Sequence, residues 1–146
     1  MPTLLAMVAA LATGLFAGAA VYISLVEHPA RVACGPAVAI RQFRPSYRRA
    51  AVMQVALAIV GTVAALARFA GGGHGGWLVG ALLLVSVIPF TLVVIMPTNK
   101  RLLDESPSLQ SADVPALLER WGRLHAVRSA ASLAAFIIFL ALLPLG

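Results

Sequence analysis

The first acidic or basic side chains of the sequence are Glu27 and His28, which stand side by side in the stretch YISLVEHPAR, residues 22–31. An imidazole and a carboxylate together suit iron, copper or zinc. With His125 as a further ligand, His28 and Glu27 could hold a metal ion, and the two histidines could hold a haem. The sequence contains no HxxxH, HxxE or CxxC spacing, however. We therefore expect no metal and no cofactor, and keep iron, copper or haem as the alternative.

A second group of chemically useful residues lies in WGRLHAVRS, residues 121–129. Successive residues of a helix are rotated by about 100°, so Trp121, His125 and Arg128 fall on one stripe if this segment is helical. That stripe presents an aromatic plate, an imidazole and a guanidinium to its neighbours. Whether these groups meet Glu27 depends on the elements that carry them.

The composition identifies those elements as membrane helices. Hydrophobic residues make up 61% of the 146 residues and charged residues only 11%, whereas a soluble domain has roughly a quarter charged residues. Charged side chains are absent from four stretches, 1–26, 50–67, 75–99 and 129–146. A membrane span needs about 20 residues. The sequence therefore predicts an all-α fold, a four-helix transmembrane bundle with up-down topology.

We expect one transmembrane domain over residues 1–146, with helices at about 3–27, 46–69, 77–97 and 115–143. The connection between the first two helices contains Pro29, Gly35, Pro36 and Pro45, which predict a loop that is broken rather than helical throughout. Small residues in GLFAG on the first helix allow close helix packing, either within the bundle or in a homo-oligomer.

The basic residues indicate the orientation of the bundle. The formal net charge is +6, and every Lys and Arg except Arg68 lies near one of two connections, the first or the third. A Lys and Arg excess marks the cytoplasmic side of a membrane protein, so both termini are expected outside the cytoplasm. This distribution favours contact with membrane lipids and argues against a nucleic-acid partner.

In such a bundle, the ends of helices 1 and 3 and the starts of helices 2 and 4 meet on one side. Ionisable residues at membrane depth tend to face the bundle interior and mark sites. The candidate site therefore combines the polar residues Glu27, Asn99, His125 and Arg128 with the aromatic and amide residues Tyr22, Phe43, Tyr47, Gln54 and Trp121. We expect Glu27 to pair with Arg128 across helices, with a neighbouring arginine as the alternative partner, and His28 to turn outward.

Three motifs in this order resemble a known family. They are GLFAGAAVYISLVEHPAR at the end of helix 1, PFTLVVIMPTNKRL at the end of helix 3 and WGRLHAVRS at the start of helix 4. Together they resemble the anthrone oxygenase-like family of four-helix integral membrane proteins, whose bacterial members mostly have no assigned function. The resemblance extends over nearly the whole chain and implies a location in a bacterial inner membrane.

The resemblance implies a membrane oxidoreductase that acts with O₂ on an apolar phenolic or quinone-type substrate at the cytoplasmic side, as a cofactor-independent monooxygenase. In that reading His125 is the general base, because its ordinary pKa is near neutrality, and Glu27 orients it. Arg128 and Asn99 stabilise the developing oxyanion, while Trp121 and Phe43 sandwich a small, flat aromatic substrate. The alternatives are a non-catalytic scaffold or lipid- or quinone-binding protein, and a metal- or haem-binding protein.

Overall fold

The computed structural model of the protein describes residues 1–105 and 112–145. Over these residues the chain forms four long helices and no strand. They are α1 (Pro2–Ala33), α2 (Pro36–Ala70), α3 (Gly76–Leu103) and α4 (Val114–Leu142), with a short 3₁₀ turn at Leu143–Leu145. All four are long and apolar enough to cross a membrane. The predicted all-α fold is confirmed, and the chain has the helices of an integral membrane protein.

The four helices pack in a square. α1 contacts α2 and α4, α3 contacts the same two helices, and α2 barely touches α4 across the diagonal. Buried alanines on α1, such as Ala9, Ala17 and Ala20, allow its neighbours to approach closely. At one end of the bundle Trp77 stacks on Phe139, with ring centroids 5.1 Å apart, within an apolar cluster. The candidate site residues lie toward the opposite end.

The connection between the first two helices is broken, as predicted, but it is much shorter than the predicted helix bounds of 3–27 and 46–69 imply. Only Cys34 and Gly35 interrupt the helical conformation there. Gly35 has a φ of 84°, a conformation that glycine adopts readily, and it reverses the chain. Pro36 then begins α2 at a position where its missing N–H costs no hydrogen bond. Pro45 lies inside α2, so the helix begins about ten residues earlier than its apolar core suggests.

A widened π-helical turn interrupts both α1 and α3, at Ile23–Glu27 and at Thr91–Ile95. In each turn the closing N–H bonds the carbonyl five residues back: that of His28 bonds Ile23, and that of Met96 bonds Thr91. In both cases a proline is the second residue after the turn, at positions 29 and 97. The extra residue carries each helix past its proline and rotates all later side chains by about 100° relative to a regular helix. The ends predicted near residues 27 and 97 therefore lie one to two turns too early.

Candidate functional site

A cavity of about 200 Å³ lies among the four helices, beside both π-helical turns. Most of its wall is apolar, with Phe16, Ala58 and Val87 among the contributors. Its polar and aromatic lining comprises Arg31, Phe43, Ser46, Tyr47, Gln54, Thr91, Trp121, His125 and Arg128. It reaches the outer surface between α2 and α3, where the lining residues Val55 and Leu92 are exposed. The site is therefore an apolar chamber with a few convergent polar groups, open toward the lipid-facing side.

His125 is almost completely buried and is held by serines from two helices. Its Nδ1 atom lies 3.0 Å from the Ser24 hydroxyl, which lies 2.8 Å from the Ser129 hydroxyl. Ser129 in turn donates to the carbonyl oxygen of Ala20 at 3.0 Å. A proton is placed in all three contacts only if Nδ1–H donates to Ser24 and Ser24 donates to Ser129. In that arrangement Nε2 of His125, a cavity-lining residue, carries no proton and can act as a base.

Asn99 connects two aromatic residues of the cavity wall without lining the cavity itself. Its side-chain nitrogen donates to the Tyr47 hydroxyl at 2.8 Å, and its side-chain oxygen accepts from the indole N–H of Trp121 at 2.9 Å. Asn99 is fully buried. Because the Tyr47 oxygen accepts from Asn99, its own hydroxyl proton remains available to a bound molecule. Asn99 thus fixes Tyr47 and Trp121, and because it does not line the cavity it is not placed for the predicted contact with an oxyanion.

Glu27 is the shared acceptor of a four-residue polar cluster between α1 and α2. Its Oε1 atom accepts from Arg31, from Gln42 at 2.9 Å and from Ser46 at 2.5 Å. The Arg31 guanidinium also packs 5.3 Å from the ring centroid of Phe43. The predicted pairing of Glu27 with Arg128 is wrong, because an arginine one turn along the same helix takes its place. Glu27 is not in contact with His125 and does not line the cavity.

Arg128 is buried and has only neutral partners. Its Nη2 atom donates to the Gln54 side-chain oxygen at 3.0 Å, and its guanidinium lies 5.7 Å from the ring centroid of Phe16. In the chain from residue 1 to 105 and from 112 to 145, no carboxylate pairs with it. Gln54 therefore extends the polar lining along α2, and Arg128 brings a positive charge that no acidic residue in this part of the chain balances.

Two predicted aromatic roles are corrected. Tyr22 is 55% exposed and lies outside the cavity, because it precedes the π-helical turn and so keeps the outward direction of a regular helix. Phe43 and Trp121 touch edge to face, with ring centroids 5.1 Å apart. A flat molecule cannot lie between rings already in contact. They form one wall of the cavity, on which a ligand could stack.

His28 turns inward, contrary to the prediction, because the π-helical turn rotates it onto α4. Its ring packs 5.1 Å from Trp121, and Trp121 stacks on His125 at 4.6 Å. The indole thus contacts both imidazoles. Among the residues that the structure describes, no three His, Cys, Asp or Glu side chains lie close enough to hold a metal ion. The alternative ligand set of His28, His125 and Glu27 is therefore not assembled.

Sequence reasoning missed Arg31, Ser24, Ser46 and Ser129 as site residues. On sequence alone, Arg31 is only one of the basic residues between the first two helices. Its spacing of four residues from Glu27 is nevertheless that of an ion pair on one helix. Ser129 likewise follows His125 by four residues. These two could have been found from helical spacing. Ser24 and Ser46 could not, because their contacts join different helices.

Comparison with known proteins places the chain in a family. The anthrone oxygenase family matches residues 43–138, more than half of the chain. This range contains Asn99, His125 and Arg128, whereas Glu27 and Arg31 precede it.

One curated relative is the anthrone oxygenase tpcL of Aspergillus fumigatus, which is 36% identical over 74 residues. The matched segment covers 49% of this chain and 46% of the relative, so the similarity spans about half the length of each protein. No solved structure matches the chain. The match over residues 43–138 is nevertheless sufficient to assign the family, and the chain belongs to the anthrone oxygenase family.

Proposed function

We propose that the protein is a membrane oxidoreductase that oxidises a flat phenolic substrate with O₂ in the cavity between its four helices. The observation that carries the proposal is the convergence of His125 and Arg128 on an otherwise apolar chamber. Such a chamber suits a polycyclic molecule that partitions into lipid, and the opening between α2 and α3 would admit it from the membrane. Family membership supports the reaction class.

The proposed chemistry begins with proton transfer. Nε2 of His125 removes a proton from the activated CH₂ group of an anthrone-type substrate, and the electron pair left behind delocalises onto the ketone oxygen as an aromatic oxyanion. The ionised carbon forms a C–O bond with O₂, which is reduced to a carbon-bound peroxide, and the peroxide takes the proton from His125 to become a hydroperoxide. Loss of water from the hydroperoxide breaks the O–O bond and the second C–H bond and yields the quinone carbonyl. One O₂ is consumed, and one quinone and one water are formed.

The other residues of the site have distinct roles in this proposal. Ser24 and Ser129 hold the His125 ring with Nε2 unprotonated. Arg128 balances the negative charge that develops on the substrate. Tyr47 offers a hydroxyl proton to the same oxygen, and Asn99 acts by positioning Tyr47. Glu27 is a positioning residue for Arg31 rather than for His125.

We further propose that the reaction needs no metal or organic cofactor, since the electrons for O₂ come from the ionised substrate. Elemental analysis of the active purified protein should find no stoichiometric iron, copper or zinc.

In a bacterial inner membrane the proposed orientation keeps both termini outside the cytoplasm and the site toward the cytoplasmic side. A fluorescent protein that folds only in the cytoplasm should stay dark when fused to the C-terminus, and bright cells would reverse this orientation.

The function is tested by O₂ consumption with an anthrone in detergent or nanodiscs, comparing the parent protein with His125→Gln. Loss of a general base lowers a rate by roughly 10²–10⁴-fold. His74→Gln is the matched control, because His74 lies in the glycine-rich turn at the opposite end of the bundle. Deuterium at the reacting CH₂ should slow the parent. Binding of the anthrone without O₂ consumption would instead favour the lipid- or quinone-binding alternative.

A further inference from the structure

The charges around the cavity do not balance. The ionisable residues that line it are Arg31, Tyr47, His125 and Arg128, and no Asp or Glu is among the lining residues. Glu27, the carboxylate nearest in the hydrogen-bond network, already bonds Arg31. With a neutral His125 and Tyr47, one positive charge remains, and it belongs to Arg128. A buried charge that has no opposite charge beside it is strongly unfavourable.

The unpartnered buried polar atoms on the residues that line the cavity are also of one kind. Within the described residues, Arg31 Nε, Gln54 Nε2 and Arg128 Nε are buried and have no hydrogen-bond partner. All three atoms are N–H donors, and all three residues line the cavity. Buried polar groups in proteins are nearly always paired. A set of unpaired donors, with no matching unpaired acceptor on the lining residues, indicates that a bound molecule supplies the acceptor.

The shape of the lining indicates which kind of acceptor fits. Phe43 and Tyr47 stack with ring centroids 5.5 Å apart, and Trp121 meets Phe43 edge to face. Together with Phe16, whose ring packs against the Arg128 guanidinium, these rings form an aromatic wall beside the positive charge of Arg128. Flat rings stack on such a wall, and a negative oxygen on the ring can reach the guanidinium.

From these observations we propose that the cavity binds flat aromatic molecules in their ionised form, as phenolate-type oxyanions, with Arg128 as the counter-ion. Gln54 holds the Arg128 side chain through Nη2. The Tyr47 hydroxyl is a second donor for the same oxygen. The inference rests on the proposed function only for the flat aromatic skeleton. It deepens that function, because the anion formed from an anthrone is itself a phenolate-type oxyanion.

The test uses 2-naphthol, which has no CH₂ group to oxidise, and 2-methoxynaphthalene, which cannot ionise. At a pH where free 2-naphthol is neutral, the protein-bound probe should show the absorption band of the naphtholate. It should bind about ten- to hundredfold more tightly than 2-methoxynaphthalene, the range that a charge-assisted hydrogen bond supplies. Arg128→Gln should abolish the naphtholate band and equalise the two affinities, and Arg128→Lys should retain the band.

Arg49→Gln is the matched control, because Arg49 is exposed on the same helix as Gln54. Equal binding of the two probes by the parent, or an unchanged naphtholate band in Arg128→Gln, would overturn the inference. So would equally tight binding of decanoate, an aliphatic anion. If Arg128→Gln does not fold, the parent and Arg128→Lys still decide the result. Because no turnover is involved, a protein that binds naphtholate but consumes no O₂ would keep this inference and lose only the proposed oxidation.

Discussion

The pair formed by Glu27 and Arg31 can be tested against a matched pair in the same protein. The side chain of Arg31 is 4% exposed and that of Glu27 is 22% exposed. Glu119 and Arg123 have the same spacing of four residues on a helix, but their side chains are 70% and 68% exposed. Substituting the glutamate by glutamine in either pair removes a charge and keeps the shape.

The expected costs differ because burial differs. Removing one partner of a buried pair costs about 3–5 kcal/mol. Since water reaches part of Glu27, we expect Glu27→Gln to lower the free energy of unfolding by about 2–4 kcal/mol, below the fully buried range. Exposed pairs contribute at most about 1 kcal/mol, so Glu119→Gln should lower it by about 0.5 kcal/mol or less. Adding Arg31→Met to Glu27→Gln should recover about 1–2 kcal/mol, because it removes the unpaired buried charge.

The assay is unfolding in mixed detergent micelles, followed by circular dichroism, for the parent and the single and double variants. A Glu27→Gln variant as stable as Glu119→Gln would contradict the expected difference in cost between the buried and the exposed pair. So would a double variant less stable than Glu27→Gln alone. Either result would mean that Arg31 is not held as a buried, paired charge in the cavity wall.

Substitutions at three further positions test the site and its packing. Ser24→Ala should change the ¹⁵N NMR signature of His125 from a single Nδ1–H tautomer to a mixture of tautomers. It should also lower kcat roughly tenfold, the effect of one hydrogen bond, and Ser24→Thr should restore both the tautomer and kcat. Asn99→Leu should lower the free energy of unfolding by about 1–3 kcal/mol, because it leaves the Trp121 indole N–H buried and unpaired. Gly122→Ala should lower it by about 1–3 kcal/mol in the same unfolding assay, because its added Cβ would lie 2.7 Å from the imidazole of the neighbouring His28.

The helices could be predicted from the sequence because a membrane span is a property of composition over many residues. Four uncharged stretches suffice to identify four helices, whatever their packing. The helix ends could not be predicted in the same way. Pro29 and Pro97 indicate helix ends in a regular helix, but each follows a π-helical turn that carries the chain past it. That turn is a change of hydrogen-bond register, which composition does not reveal.

Which residues belong to the site was easier to predict than which of them contact one another. Trp121, His125 and Arg128 share a stripe because helical spacing is regular, and the structure places all three at the cavity. Glu27 could pair with Arg128 on another helix or with Arg31 on its own helix. The pair with Arg31 needs no docking of helices, because it is set by the spacing of four residues alone. The inward turn of His28 depended on the added residue of the π-helical turn, which the sequence did not signal.

We propose that O₂ reacts at an activated carbon of a flat phenolic substrate bound in this cavity. Conversion of an anthrone by purified, metal-free protein under ¹⁸O₂, with mass spectrometry of the quinone, tests this reaction. We expect one ¹⁸O atom in each new quinone carbonyl, one O₂ consumed per quinone, and loss of conversion in His125→Gln but not in His74→Gln. A quinone whose new oxygen comes from water, or equal conversion by both variants, would contradict it.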